Sequence, residues 1–197
     1  MWEDILKTFF SDFNAETTNY LQSASRFQNI YPNRKAIANL NFDDVSNIWR
    51  LRELKQMYLD MKTLETKHIS DVANLCQSYT LKTEEILMDL ISEFPWELLK
   101  EKQELKEDIE NFKKFSSLLN QHRTYVEHFI DSQIRFLEWL INNHHLIQRE
   151  WGKPVLKSEK KQKEMAEIYE YYVNARYAYQ DSSKKVKDMQ KSFGWLK

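Results

Sequence analysis

Glycine and proline are almost missing from this chain, with two and three residues out of 197. Ordinary proteins use each at roughly 5–7%. Turns and sheet folds need both as punctuation, so their scarcity excludes a turn-rich β architecture and leaves long helices. Cysteine is scarcer still. A lone Cys76 cannot form an internal disulfide and fits a reducing compartment. An excess of either charge is also missing. The 29 basic and 30 acidic side chains leave a formal net charge of −1, so no global field draws the chain to nucleic acid or to an anionic membrane. No stretch reaches the roughly 20 apolar residues of a membrane span. The start, Met1-Trp2-Glu3-Asp4, is acidic where a secretion signal is basic. No glycine-rich loop exists to cradle a phosphate. These absences predict a soluble, cytoplasmic protein with no cofactor and no specific nucleic-acid partner.

What is present is periodicity. Leu98, Leu105, Phe112, Leu119, Val126, Gln133, Leu140 and Ile147 lie seven apart, and Gln133 alone among them is polar. A seven-residue apolar repeat sustained this far predicts long helices packed lengthwise. Three more segments carry helical stripes. Trp2, Leu6, Phe9, Phe13, Tyr20 and Phe27 predict a first helix over about 2–30, ended at Tyr31-Pro32-Asn33. Residues 32–44 form a connection. Leu54, Met57, Met61, Leu64, His68, Val72, Leu75 and Tyr79 predict a second over about 44–93, capped by Asp43 or Asp44, with a slip at Thr80–Thr83. The third runs from Pro95 to Trp151, entered by a chain reversal at Pro95 and closed by Trp151-Gly152-Lys153-Pro154. The fourth, about 158–193, has Met165, Ile168, Tyr172, Ala175, Tyr179, Val186, Met189 and Phe193 on one stripe, stopped by Gly194. The fold expected is all-α: one domain over 1–197, an elongated antiparallel bundle of about four heptad-patterned helices, two of them very long.

Residues 125–141 hold ten apolar or aromatic side chains in seventeen, more than one stripe accommodates. Such a helix lies at the centre of a bundle or faces a partner. Phe129, Ile130, Phe136 and Trp139 are therefore candidates for partner binding. Tyr171 and Tyr177, with Arg176 between them, join that set, because tyrosine and arginine dominate binding hot spots. Lys153, Lys157, Lys160, Lys161 and Lys163 make a local basic cluster opposed by Glu159. It reads as a solvated first turn, with phosphate or anionic lipid as the alternative.

Catalytic and metal patterns are sparse. Glu65-Thr-Lys-His68 has the Glu-x-x-His spacing of carboxylate-bridged di-iron bundles, but the chain holds no second such pair. His68 falls on the apolar stripe and reads as a structural histidine. His144 and His145 point about 100° apart on a helix, a poor geometry for one shared ion. Cys76 has no basic or histidine neighbour in sequence to activate it. Arg123-Thr-Tyr-Val-Glu-His128 resembles the Arg-x4-His motif of HEPN-type ribonucleases, over these six residues. That resemblance implies a helical, often dimeric, metal-independent ribonuclease in which Arg123 stabilises phosphate charge and His128 acts as acid or base. The long second, third and fourth segments resemble in outline the three-helix crescents of BAR domains, which implies a membrane-surface scaffold. The balanced charge lacks the basic face that role needs. The function expected is non-enzymatic: a protein–protein interaction module (adaptor, chaperone, inhibitor or scaffold subunit) that binds another protein, and a second copy of itself, through apolar helical surfaces.

Overall fold

A computed structural model describes residues 2–31, 40, 42–151 and 153–192. The expected roles of Pro32, Asn33, Gly152, Phe193 and Gly194 fall outside the described residues. The fold is an all-α bundle of long, mutually packed helices. In chain order it comprises α1 (Trp2–Ile30), α2 (Phe42–Ser46), α3 (Ile48–Glu93), α4 (Leu99–Asn143), a 3-10 turn (His144–Leu146), strands β1 (Ile147–Glu150) and β2 (Lys153–Leu156), and α5 (Glu159–Ser192). Contacts divide the chain into two compact units.

The first unit comprises Met1–Leu21, Lys67–Arg123 and Ser182–Lys197. Its core is aromatic. The Phe9 ring meets Tyr79 edge-on at 5.2 Å and Phe112 at 4.7 Å, and the Tyr79 hydroxyl donates to Asp12 at 2.7 Å. The Tyr20 ring stacks on His68 at 4.2 Å. These pairs run up α1 while they run down α3, so the two helices are antiparallel. Lys113 with Glu84 at 2.8 Å, and Arg123 with Ser70 at 3.0 Å, set α4 antiparallel to α3 in the same way. The reversal expected near Pro95 is therefore present. However, α4 begins at Leu99, so Pro95 lies in the turn and not at the head of a helix.

The expected slip at Thr80–Thr83 does not interrupt α3. Both hydroxyls are buried and bond back to the preceding turn, Thr80 to the Cys76 carbonyl at 2.9 Å and Thr83 to the Tyr79 carbonyl at 2.7 Å. A threonine satisfied in this way stays helical inside a core.

The second unit comprises Gln22–Thr66 and Thr124–Asp181. Lys62 pairs with Asp131 at 2.8 Å and Lys55 with Glu138 at 2.7 Å. Seven residues down α3 thus match seven up α4, the antiparallel register that a seven-residue repeat implies. On the other side of α4, Phe129 lies parallel to Tyr179 at 4.9 Å and close to Tyr172 at 5.9 Å. The long helix α3 is not capped by Asp43 or Asp44, which sit in the first turn of the separate α2. Asn47 caps it, accepting from the Trp49 and Arg50 amides at 3.1 Å each. Ser158 plays the same part for α5, accepting from the Lys161 amide at 3.4 Å.

The seven-residue seam is buried from Leu105 through Phe112, Leu119, Val126, Gln133 and Leu140, while Leu98 at its start is exposed. Gln133 donates to Phe129 of its own helix, at a long 3.4 Å, rather than to a neighbouring helix. The expected helix to Trp151 stops at Asn143. A β-hairpin follows, pairing Ile147 with Leu156 and Glu150 with Lys153. Its β1 sequence, Ile-Gln-Arg-Glu, carries too few apolar residues to extend the seam, and Trp151 takes a left-handed backbone with φ of 53°.

Candidate functional site

The expected partner-facing belt on α4 is largely occupied within the chain. Ile130 and Trp139 are buried, and Phe129 and Phe136 are half-buried. Phe129 is held between two tyrosines of α5, and Phe136 lies 6.3 Å from Tyr169. In this unit α4 touches α3 on one side and α5 on another. Two flanking helices need two apolar faces, which accounts for the width of the belt. Tyr171 and Tyr177 do point outward. Arg135 sits over the Tyr171 ring at 5.6 Å, and Tyr177 is 65% exposed.

The same unit holds a small apolar cavity of about 160 Å³ beneath the hairpin. Val45, Phe136, Leu140, Ile147, Leu156 and Met165 line it.

The chemistry-bearing residues lie apart. Arg123 and His128 sit five residues apart on one continuous helix, which sets their side chains roughly 140° apart. The Arg123 guanidinium is engaged by the Ser70 hydroxyl. Cys76 is fully buried, and burial pushes its thiol up to about 12, so it is no nucleophile near neutral pH. His68 is half-buried against Tyr20, and burial holds its pKa below the ordinary value, with Asp71 opposing. His122 Nδ1 lies 2.8 Å from the Ser182 hydroxyl, and burial lowers this pKa as well. Among the described residues, no three His, Cys, Asp or Glu side chains gather where they could hold a metal ion. Among the same residues, no helix is long and apolar enough to cross a membrane. In the basic cluster, Lys157 pairs with Glu150 at 3.5 Å and Lys161 with Glu164 at 2.6 Å.

Among the described residues, exposed large apolar side chains concentrate where the sequence periodicity did not point, at the turn between α3 and α4. Every residue from Ile91 to Lys100 is exposed. Met88 (66%), Trp96 (86%) and Leu99 (71%) are presented most fully, and Ile91, Phe94 and Leu98 accompany them. Beneath them, Leu87, Leu105 and Ile109 form a small core that fixes the two helix ends together. Lys102 is buried at 6% exposure, and its ammonium donates to the carbonyls of Phe94 and, at 2.8 Å, Glu97. Those carbonyls belong to the turn just past the end of α3, where the backbone has run out of helical donors. The lysine therefore holds the turn from inside while the aromatic and aliphatic side chains face out.

Periodicity missed this site because Phe94 and Leu98 continue the α3 and α4 stripes and read as core. The available signal was Met88, Trp96 and Leu99, which lie off those stripes and crowd around a proline. Comparisons with protein-family models, with curated proteins and with solved structures found no match.

Proposed function

We propose that this chain is a non-enzymatic protein–protein interaction module of the cytoplasm, and that the α3–α4 turn is its principal contact. The observation that carries this reading is the concentration of Met88, Ile91, Phe94, Trp96, Leu98 and Leu99 on exposed surface within twelve residues. Monomeric proteins seldom leave large apolar side chains grouped in this way, and such groups mark interaction sites. Fully covering one such side chain is worth about 1.5–3 kcal/mol. Two or three of them therefore supply the anchor energy of a hot spot. Tyr171 and Tyr177 on α5 offer a second, more polar contact. Helix pairing in the coiled-coil manner is the scaffold that presents both surfaces.

The test places a photo-crosslinking amino acid at position 96 in the native cell and compares the adducts with those of a Leu99→Ala, Met88→Ala version of the same protein. A discrete protein adduct that disappears in the double variant supports the reading. No adduct, or one that the double variant leaves unchanged, removes it.

A further inference from the structure

The near-zero net charge of the chain conceals a local imbalance. Residues 85–108, which span the end of α3, the turn and the start of α4, carry eight acidic side chains and three lysines, a net −5, against −1 for the whole chain. The lysines soften this field less than their number implies. Lys102 is turned inward onto the turn carbonyls, and Lys100 lies 3.7 Å from Glu104 of its own helix. The acidic groups crowd one another. Burial, and then the charges of Glu104 and Glu107, raise Asp108 to about 6. Trp96 and Leu99, both exposed, thus stand within a stretch of chain that also carries Glu85, Asp89, Glu93, Glu97, Glu101 and Glu104.

We propose that this tip binds an apolar surface of a partner protein that is flanked by lysine and arginine. The inference rests on the interaction reading above and adds the chemistry of the partner. An apolar centre with an acidic rim is complementary to an apolar centre with a basic rim, and like charges across an interface cost several kcal/mol. A second copy meeting tip to tip would oppose two acidic segments. An anionic bilayer would repel the same negative charge. Basic amphipathic polypeptides satisfy both requirements at once, with apolar residues on one face and cations beside them.

The experiment uses a fluorescently labelled twenty-residue amphipathic helix of leucine and lysine, and its twin with glutamate at every lysine position. Binding to the full chain is read by anisotropy. The leucine–lysine peptide is expected to bind at least tenfold more tightly than the leucine–glutamate twin, and to weaken as salt rises from 50 to 500 mM. Trp96→Ala with Leu99→Ala should reduce its affinity at least tenfold. Trp49→Ala, a comparably exposed tryptophan outside the tip, should leave it unchanged. Both tip residues are exposed, so the double variant should keep wild-type circular dichroism. The triple variant Glu93→Gln, Glu97→Gln, Glu101→Gln keeps the apolar centre and should flatten the salt dependence.

Equal binding of the two peptides would overturn the basic-partner assignment while leaving the crosslinking result, and so the interaction reading, intact. Unchanged binding by the Trp96, Leu99 variant would overturn the tip as the site. Two other results would also overturn the proposal in favour of a different occupant. One is tip-dependent uptake by phosphatidylcholine vesicles, with or without phosphatidylserine. The other is a tip-dependent rise in molar mass by light scattering.

Discussion

Lys100 and Lys102 stand two residues apart in the same turn of α4, and the fold treats them oppositely. Lys100 is 85% exposed at its side chain and makes a loose contact to Glu104. Lys102 is buried and donates to the carbonyls of Phe94 and Glu97. Replacing Lys102 with Met keeps the aliphatic stem and removes the ammonium. Two hydrogen bonds from a charged donor are lost, each worth about 1.5–3 kcal/mol. The acceptors lie in an exposed turn and are rehydrated in part once the lysine is gone. That places the expected loss near the lower end, about 2–4 kcal/mol. Lys100→Met removes an exposed i,i+4 pair of the kind worth only about 0.3–0.5 kcal/mol. Urea unfolding followed by circular dichroism at 222 nm should therefore separate the variants by more than about 1.5 kcal/mol. Limited proteolysis should cut Lys102→Met between residues 93 and 99 sooner than the wild type. Equal midpoints and equal cleavage for the two variants would refute the claim that Lys102 holds the tip.

Three further outcomes follow from the packing. Phe9→Ala empties the centre of the first unit, where its ring meets Tyr79 and Phe112. It should cost about 3–5 kcal/mol in urea unfolding, and a loss below about 1 kcal/mol would show that this aromatic cluster is not the core of that unit. Because burial lowers the His68 pKa from its ordinary 6.5, the unfolded chain binds the proton more readily. The stability contributed is then complete above pH 6.5 and falls as pH drops through that value. His68→Phe should lose less thermal stability than the wild type between pH 7.5 and 5.5, and an identical loss would refute the assignment. Asp108 acts in the opposite sense: with its pKa raised to about 6, stability falls as pH rises from 3.8 to about 6. Finally, Trp151 is fully exposed with a left-handed backbone. Trp151→Asn should raise stability by about 0.5–1 kcal/mol, because asparagine tolerates that conformation better, and a lower melting temperature would contradict this account of the turn.

Phe129 and Trp96 show how far the sequence could be read. The density of apolar residues in 125–141 identified a helix with more than one covered face, and Phe129 is indeed flanked by two tyrosines. Density does not say whether the cover comes from the same chain or another, because both leave the same pattern of side chains. Trp96 carries no periodic signal, since it lies in the turn. Its exposure follows from where α3 stops and α4 starts. Likewise the start of the hairpin at Ile147 fell on the seven-residue beat and read as helix. Backbone pairing with Leu156 draws it into a strand.

By itself the sequence determined the class of fold: long antiparallel helices, their stripes, and the buried seam from Leu105 to Leu140. Those are local consequences of helical geometry, in which residues seven apart return to one face. Tertiary structure alone decided which apolar surfaces were left over. The α4 belt is taken up by α3 and α5, whereas Met88, Trp96 and Leu99 stay exposed among the described residues. That outcome depends on which neighbours reach each face, a property of the whole assembly of helices and not of any one segment.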